Sequence, residues 1–228
     1  MTIDVIIPAL NEASSIGLVV RSIDKELVRR VVVVDNGSED DTVRIATDAG
    51  AIVLLQPLRG YGSACLMGID FLKADPPDVV VFLDGDYSDY PEELVHLIAP
   101  IARQEAVFVL GARVRELREP GSMTPQQVFG NGLATMLIRI LFKRRYLDLG
   151  PFRAITWAGL LSLNMKDKNY GWTVEMQVKA ARKKLATIEI PVRYRKRIGY
   201  SKVSGTIKGT VLAGYKIIAT IFRYGWMR

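Results

Sequence analysis

One run of residues indicates both the fold and the place of its site: Val79-Val80-Val81-Phe82-Leu83-Asp84-Gly85-Asp86-Tyr87-Ser88-Asp89-Tyr90-Pro91-Glu92-Glu93. It opens with five apolar residues, three of them β-branched, which is typical of a parallel strand covered on both faces. Pro91 and the glutamates after it are typical of the first turn of a helix. Asp84 and Asp86 therefore lie at the carboxyl end of a buried strand, where open α/β sheets bind ligands.

The spacing of these two acids predicts a metal site. Two carboxylates one residue apart repel each other unless a cation lies between them, and hard oxygen ligands suit Mg²⁺ or Mn²⁺ shared with the phosphates of a substrate. The alternative is an ordinary surface turn, because Asp and Gly are common turn residues. The buried strand before Asp84 and the helix start at Pro91 favour the metal site.

Composition restricts the class of protein. A chain of 228 residues with 49% hydrophobic residues is globular and builds one substantial core. A single cysteine, Cys65, leaves no internal disulfide, and the first residues run into a strand pattern without an export signal. No uncharged apolar run approaches the roughly 20 residues of a membrane-spanning helix. We therefore expect a cytoplasmic protein.

The net charge of +7 is concentrated in three clusters, at residues 143–145, 182–184 and 193–197. Such clusters suit nucleic acid, an anionic membrane or a phosphorylated substrate. The alternative is a solvated helix face, which we favour for residues 182–184. We expect a phosphorylated substrate and no nucleic acid.

Strands and helices alternate along the first half of the chain. This alternation predicts an α/β fold with a mostly parallel central sheet and helices on both faces. The predicted strands are residues 4–10, 30–35, 51–55, 79–83, 106–111 and 185–192, with one more entered through a turn at residues 148–154. The predicted helices are residues 63–72, 128–142, 172–184 and 206–224, with two more beginning near Ser15 and Thr42. Residues 115–124 are predicted to form a charged loop, and residues 193–204 a basic one.

Three predicted strands end in polar turns: Asn11-Glu12, Asp35-Asn36 and Asp84 to Asp86. In a doubly wound sheet these turns project into one crevice that holds a nucleotide. Asp35 suits a hydrogen bond to a base or ribose, although in isolation a turn-forming role is the better interpretation. Arg59-Gly60-Tyr61-Gly62 offers close backbone approach and a cation for phosphate, but its glycine spacing does not match a P-loop.

Taken together, these segments resemble the nucleotide-sugar half of glycosyltransferase family 2. The segments are Pro8-Ala9-Leu10-Asn11-Glu12, Val34 to Ser38 with Asp41-Thr42, Arg59 to Gly62, and Asp84-x-Asp86-x-Ser88-x-x-Pro91-Glu92. The last is similar to the metal motif of the dolichyl-phosphate or polyprenyl-phosphate mannosyl and glucosyl transferase branch. Later segments resemble that branch in the same order: Gly111-Ala112-Arg113, Asp148 to Arg153, Gly171 to Met176, and Pro191 to Lys202.

The resemblance implies a Rossmann-like GT-A fold that transfers a sugar from a nucleoside diphosphate, such as a UDP- or GDP-hexose, with inversion. It assigns Asp35 to the base or ribose, and Asp84 and Asp86 to the ribose, the metal and the diphosphate. We expect further donor contacts from Pro8, Asn11, Glu12, Arg59 and Gly60. Ser88 departs from the family pattern, since some relatives have there a Gln that helps to bind metal.

The resemblance also implies an acceptor side. It assigns Arg113 to the acceptor phosphate, and it places Arg153, Arg197, Ser201 and Lys202 on phosphates. A lipid-phosphate acceptor is already anionic and needs no general base, whereas a hydroxyl acceptor needs a carboxylate to take its proton. Glu175 and Asp148 are then the candidate bases, and for Glu175 the alternative is an ion pair with Lys179.

We expect residues 1–205 to form the transferase domain, with a nucleotide-sugar half at about 1–113 and an acceptor half at about 114–205. Residues 206–228 are expected to form an amphipathic helix that contacts the cytoplasmic face of a membrane; the alternative is packing on the body of the protein or in an oligomer.

The function predicted from the sequence is metal-dependent transfer of a hexose to a polyprenyl phosphate. The alternatives are the same donor chemistry with a hydroxyl acceptor, and a catalytically silent nucleotide-sugar-binding module.

Overall fold

A single seven-stranded sheet organises the protein. The computed structural model describes residues 1–199 and 207–226. The strands lie side by side in the order β3-β2-β1-β4-β6-β5-β7. Their bounds are Ile3–Ala9 (β1), Arg30–Asp35 (β2), Ile52–Leu55 (β3), Val79–Phe82 (β4), Phe108–Ala112 (β5), Arg153–Thr156 (β6) and Thr187–Pro191 (β7).

The direction of the strands confirms the predicted, mostly parallel sheet. Strands β1 to β4 pair in parallel, and β7 pairs in parallel with β5. The exception is β6, which is antiparallel to both β4 and β5. Because β6 enters the sheet from the opposite side, the turn before it lies at the same edge as the carboxyl ends of β1, β2, β4, β5 and β7. That edge collects the polar turns singled out in the sequence.

Eight helices are present in the described ranges. They are Ile16–Ser22 (α1), Thr42–Asp48 (α2), Tyr61–Leu72 (α3), Leu94–Ala102 (α4), Pro125–Phe142 (α5), Trp157–Leu163 (α6), Trp172–Arg182 (α7) and Ile207–Trp226 (α8). Single 3₁₀ turns occupy Pro91–Glu93 and Arg115–Leu117. None of these helices is both long and apolar enough to cross a bilayer.

Two of the differences between the observed helices and the sequence prediction have local causes. Helix α5 begins three residues earlier than predicted because Thr124 and Gln127 form a reciprocal capping box ahead of Val128. Helix α6 was not predicted at all. Its seven residues are mostly apolar and carry no amphipathic period, but the Thr156 hydroxyl accepts a hydrogen bond from the Gly159 N–H and caps it.

The core has two layers, one on each face of the sheet, as predicted. Alternate residues of β1 separate them: Val5 and Ile7 face the layer that includes α1 and α4, whereas Ile6 faces the layer that includes α3 and α7. The second layer contains Trp172, which packs edge-on against Phe82 with 5.8 Å between ring centroids. The division of residues 1–205 into two halves stays a prediction, since β6 lies between β4 and β5 in one continuous sheet.

The start of α3 is held tightly against a distant loop. The Ser63 N–H donates to the carbonyl oxygen of Lys168 at 2.9 Å. A Cβ on Gly62 would collide with the carbonyl oxygen of Asp167, and one on Gly60, whose φ is +144°, with that of Lys168. Both glycines are therefore required by a backbone-to-backbone contact.

We predict that Gly62→Ala lowers the free energy of unfolding by about 2 kcal/mol, because the new methyl group must push the loop away from α3. Gly130→Ala is the matched control: Gly130 lies in exposed α5 with nothing within 4 Å of an added Cβ. The control should gain about 0.5–1 kcal/mol through helix propensity. Urea unfolding measures both. Equal stabilities for the two variants would contradict the close contact.

Candidate active site

A cleft of about 540 Å³ opens at the carboxyl edge of the sheet. Many of the predicted site residues line it: Pro8, Asn11, Glu12, Arg59, Gly60, Asp84, Asp86, Arg113 and Arg197. The topology explains this gathering, because these residues lie at or just after the carboxyl ends of β1, β4, β5 and β7 or precede α3.

The two acids after β4 lie at the floor of this cleft. The Tyr61 hydroxyl donates to Asp84 Oδ1 at 2.9 Å. The N–H and the hydroxyl of Ser88 donate to Asp86 Oδ1, at 2.9 and 2.5 Å. Burial, and then the charge of Asp86, raise the pKa of Asp84 to about 7. The two carboxylates therefore repel each other, and their hard oxygen donors fit Mg²⁺ or Mn²⁺. Ser88 bonds to Asp86 and so supports it.

The basic segment after β7 folds onto these acids. Arg197 Nη2 lies 3.1 Å from Asp86 Oδ2 and 3.3 Å from Glu12 Oε1. The backbone of this segment also bonds to the turn after β4. The Ile198 N–H donates to the Asp86 carbonyl oxygen at 3.0 Å, and the Arg195 N–H donates to the Ser88 carbonyl oxygen at 2.9 Å. Arg197 therefore contacts the acidic pair, and its predicted contact with phosphates stays a prediction. Ser201 and Lys202, which were predicted to act with it, lie outside the described residues.

The turn after β2 carries Asp35, which is predicted to contact the base or ribose of a nucleotide. Asp35 Oδ2 accepts hydrogen bonds from the N–H groups of Gly37 and Ser38, at 3.1 and 3.0 Å. Its Oδ1 is buried and has no hydrogen-bond partner in the described part of the chain. A buried acceptor in that state calls for a donor such as a base N–H or a ribose hydroxyl. Asp35 is not among the residues that line the cleft itself.

Asn36 is a site residue whose role the sequence did not indicate. Its Oδ1 accepts from the Gly60 N–H at 2.6 Å, and its Nδ2 donates to the carbonyl oxygens of Gln56 and Leu58. Arg59 in turn donates to the Gly37 carbonyl oxygen at 3.1 Å. These bonds tie the loop before α3 to the turn after β2.

Asp148 holds Arg113 in place. Its Oδ2 accepts from Arg113 Nε at 2.6 Å, and its Oδ1 from Arg113 Nη2 at 2.9 Å. Burial alone would raise the pKa of Asp148, but the charge of Arg113 and these bonds lower it overall. Arg113 also stacks over the ring of Tyr194, with 4.9 Å between its guanidinium carbon and the ring centroid. Asp148 thus orients a cleft cation and does not itself line the cleft.

Glu175 also lies away from the cleft. Its carboxylate is 2.7 Å from Lys179 Nζ, the alternative partner predicted from the sequence, and 2.7 Å from the Tyr224 hydroxyl. The N–H groups of Lys166 and Asp167 donate to it as well. Burial alone would raise the pKa of Glu175, but these donors lower it. This carboxylate links α7 to α8 and to the loop at residues 166–171.

Arg153 is likewise not among the residues that line the cleft. Its side chain is fully buried, and its guanidinium donates to the carbonyl oxygens of Thr173 and Gly150. Burial lowers its pKa to about 10. The structure therefore gives Arg153 a role in packing the turn before β6, in place of the predicted phosphate contact.

Several residues that line the cleft were not predicted from the sequence. Gln127, Asn169, Tyr170 and Tyr194 line the cleft. Only Tyr194 carried a signal, since it lies in the segment that resembles the family's basic closing motif. Asp89 lies near the cleft with both carboxylate oxygens buried and without hydrogen-bond partners in the described chain. Burial, and then Asp84 and Asp86, raise its pKa well above the usual range, so the protonated acid is favoured.

Comparison with known proteins agrees with this geometry. Residues 4–164 match the family described as Glycosyl transferase family 2. An uncharacterized glycosyltransferase of Mycobacterium tuberculosis is 34% identical over 214 residues, covering 92% of this chain and 94% of its own length. The undecaprenyl-phosphate mannosyltransferase of Micrococcus luteus is 30% identical over 226 residues, which cover 92% of this chain and 90% of that protein.

A solved structure shares the fold over the whole chain. It is glucosyl-3-phosphoglycerate synthase from Mycobacterium tuberculosis in complex with Mn²⁺, uridine-diphosphate-glucose and phosphoglyceric acid. The TM-score is 0.77 at 25% identity, covering 100% of this chain and 80% of that one. The expected GT-A architecture is thereby confirmed.

We predict that Arg197→Gln tightens the binding of Mn²⁺ in the absence of nucleotide. The arginine competes with a metal ion for Asp86, and removing a partly exposed pair is worth about 1 kcal/mol, or roughly fivefold in affinity. Counting free Mn²⁺ by electron paramagnetic resonance measures this change. With a nucleoside diphosphate present, the sign should reverse, because the arginine then serves the phosphates.

Lys196→Gln is the charge-matched control, since Lys196 is exposed and adjacent. If both variants changed Mn²⁺ affinity equally, the effect would be one of net charge, and the direct competition for Asp86 would be wrong.

Proposed function

Because this chain belongs to glycosyl transferase family 2, we propose that it transfers a hexose from a nucleoside-diphosphate sugar to a polyprenyl phosphate, with inversion and with the help of Mg²⁺ or Mn²⁺. The observation that carries the proposal is the charge pattern of the cleft. Arg59, Arg113 and Arg197 line it together with acids, and the acidic residues that line the cleft within the described chain are Glu12, Asp84 and Asp86.

On the donor side, Asp84 and Asp86 would hold the divalent ion, which neutralises charge on the departing diphosphate. Tyr61 and Ser88 keep the two carboxylates oriented toward the cleft. Asp35 would accept from the base or ribose, and Asn36 fixes the Arg59–Gly60 loop beside it. Arg197 would leave Asp86 for the diphosphate and exclude water as its segment closes.

The acceptor assignment is supported by the positions of the two carboxylates that the sequence offers as bases. A hydroxyl acceptor needs a carboxylate to take its proton, but Asp148 is engaged by Arg113 and Glu175 lies away from the cleft. A phosphate oxygen is already anionic and needs none, while Arg113 supplies a matching cation. The name of the Micrococcus luteus relative, an undecaprenyl-phosphate mannosyltransferase, supports the same acceptor class.

A second candidate is a small phosphorylated acceptor that carries a hydroxyl. It is favoured by the synthase structure with phosphoglyceric acid bound, since Arg113 would serve that phosphate equally well. A catalytically silent binding module is the third reading. All three use the same donor site, so the acceptor assay distinguishes them.

The last helix fits the lipid acceptor. A polyprenyl phosphate resides in a membrane, and α8 has an apolar side and no acidic residue. We propose peripheral contact of this helix with the cytoplasmic face of a membrane.

We predict that the purified chain releases nucleoside diphosphate from a UDP- or GDP-hexose when Mn²⁺ and a polyprenyl phosphate are present. Asp86→Asn should lower the rate by on the order of 100-fold or more, because a ligand of the ion is lost. The control is Asp70→Asn, whose carboxylate is exposed on α3 and pairs with Lys73.

Transfer to phosphoglyceric acid but not to polyprenyl phosphate would select the second candidate. Binding of donor with Mn²⁺, seen as a rise in the melting temperature, without turnover on any acceptor would select the silent module.

A further inference from the structure

A second cavity, of about 480 Å³, is bounded by the loop at residues 166–171 and by helices α7 and α8. It shares no lining residue with the active-site cleft. Nine of its ten lining residues are charged or carry a hydroxyl group, and the tenth is Ala219. Because the lining offers so little apolar surface, the cavity does not suit a lipid chain or another apolar ligand.

The two acids of this second cavity are already neutralised. Glu175 Oε1 is 2.7 Å from Lys179 Nζ. Asp167 Oδ2 is 3.0 Å from Lys216 Nζ, an ion pair that ties the loop to α8. Backbone N–H groups of the same loop donate to both carboxylates. The acids therefore leave no uncompensated negative charge in the cavity.

Three cations of the lining are not neutralised in this way: Lys166, Lys168 and Arg223. None of their side chains is in an ion pair within residues 1–199 and 207–226. The lysines belong to the loop and the arginine to α8, so two different walls supply the charge. Three cations around one space favour an anion with two or more charges. A phosphate monoester or a diphosphate carries that charge near neutral pH, and its oxygens accept from Lys and Arg.

We propose that the second cavity binds a small, soluble anion that bears a phosphate monoester or a diphosphate group. Lys166, Lys168 and Arg223 would donate to the phosphate oxygens, and Tyr215 and Thr220 supply hydroxyl groups to the same lining. This site goes beyond the proposed transfer reaction, because it uses none of the residues assigned there to the donor or the acceptor.

The loop at residues 166–171 connects the second cavity to the cleft. Asn169 and Tyr170 follow Lys168 directly and line the cleft. The Lys168 carbonyl oxygen accepts from the Ser63 N–H, at the start of α3, at 2.9 Å. An anion held by the Lys168 side chain would therefore act on a loop that forms part of the cleft wall. We expect an occupied second cavity to restrict the motion of this loop.

Isothermal titration calorimetry of the full chain with inorganic diphosphate tests the site. Metal-free buffer without donor or acceptor makes the result independent of metal binding and of any transferase activity. We expect a dissociation constant below about 1 mM. Lys168→Gln with Arg223→Gln should weaken binding by about tenfold or more, because two charge-assisted hydrogen bonds are lost. Urea unfolding checks that each variant is folded.

Two control variants locate the bound diphosphate. Lys183→Gln with Lys184→Gln removes the same charge from exposed residues outside both cavities. Arg59→Gln removes an exposed cation of the cleft. Both should bind diphosphate as the wild type does. Equal weakening by the two double variants would reduce the effect to net charge and overturn the proposal. So would a lack of binding to the wild type, or binding that only Arg59→Gln weakens.

Amide hydrogen exchange measures the connection to the cleft. Saturating diphosphate should slow exchange within residues 166–171 by about threefold or more in the wild type. The same addition should leave exchange unchanged in Lys168→Gln with Arg223→Gln. Unchanged exchange in the wild type would contradict the restriction of this loop by the bound anion.

Discussion

The repulsion between Asp84 and Asp86 is the constraint on which the site depends. The sheet places both carboxylates at the end of a fully buried central strand, where burial raises the pKa of Asp84 to about 7. Such a pair is stable only with positive charge beside it. Arg197 supplies that charge to Asp86 at 3.1 Å, and a divalent ion would supply it to both. The pairing therefore explains why the basic segment after β7 folds back onto the turn after β4.

Close backbone contacts between α3 and the loop at residues 166–171 fix one wall of the cleft around this pair. Gly60 and Gly62 let the start of α3 touch the carbonyl oxygens of Lys168 and Asp167. The same loop carries Asn169 and Tyr170 into the cleft, and its N–H groups bond to Glu175 at the base of α7. Glu175 and Arg153 thus support the site without lining the cleft. This supporting role accounts for their place in segments that resemble the family.

The strand ends could be predicted from sequence because an apolar run followed by acids is a local pattern. That pattern located Asp84, Asp86 and Asp35, and the resemblance added Arg113 and Arg197. The rest depends on contacts between distant residues. The bond from the Ser63 N–H to the Lys168 carbonyl oxygen spans 105 residues, so no local signal marked Asn169 or Tyr170 as cleft residues. The antiparallel direction of β6, which delivers Asp148 to Arg113, and the short helix α6 are likewise products of tertiary packing.

The central claim is that the acids after β4 anchor the diphosphate of an activated sugar through a divalent ion. Crystals grown with Mn²⁺ and a nucleoside diphosphate test it most directly, because manganese is located by its anomalous scattering. We expect a manganese peak bonded to a carboxylate oxygen of Asp84 or Asp86 and to the diphosphate. A diphosphate bound in the cleft with no manganese beside these acids, or manganese bound elsewhere, would contradict it.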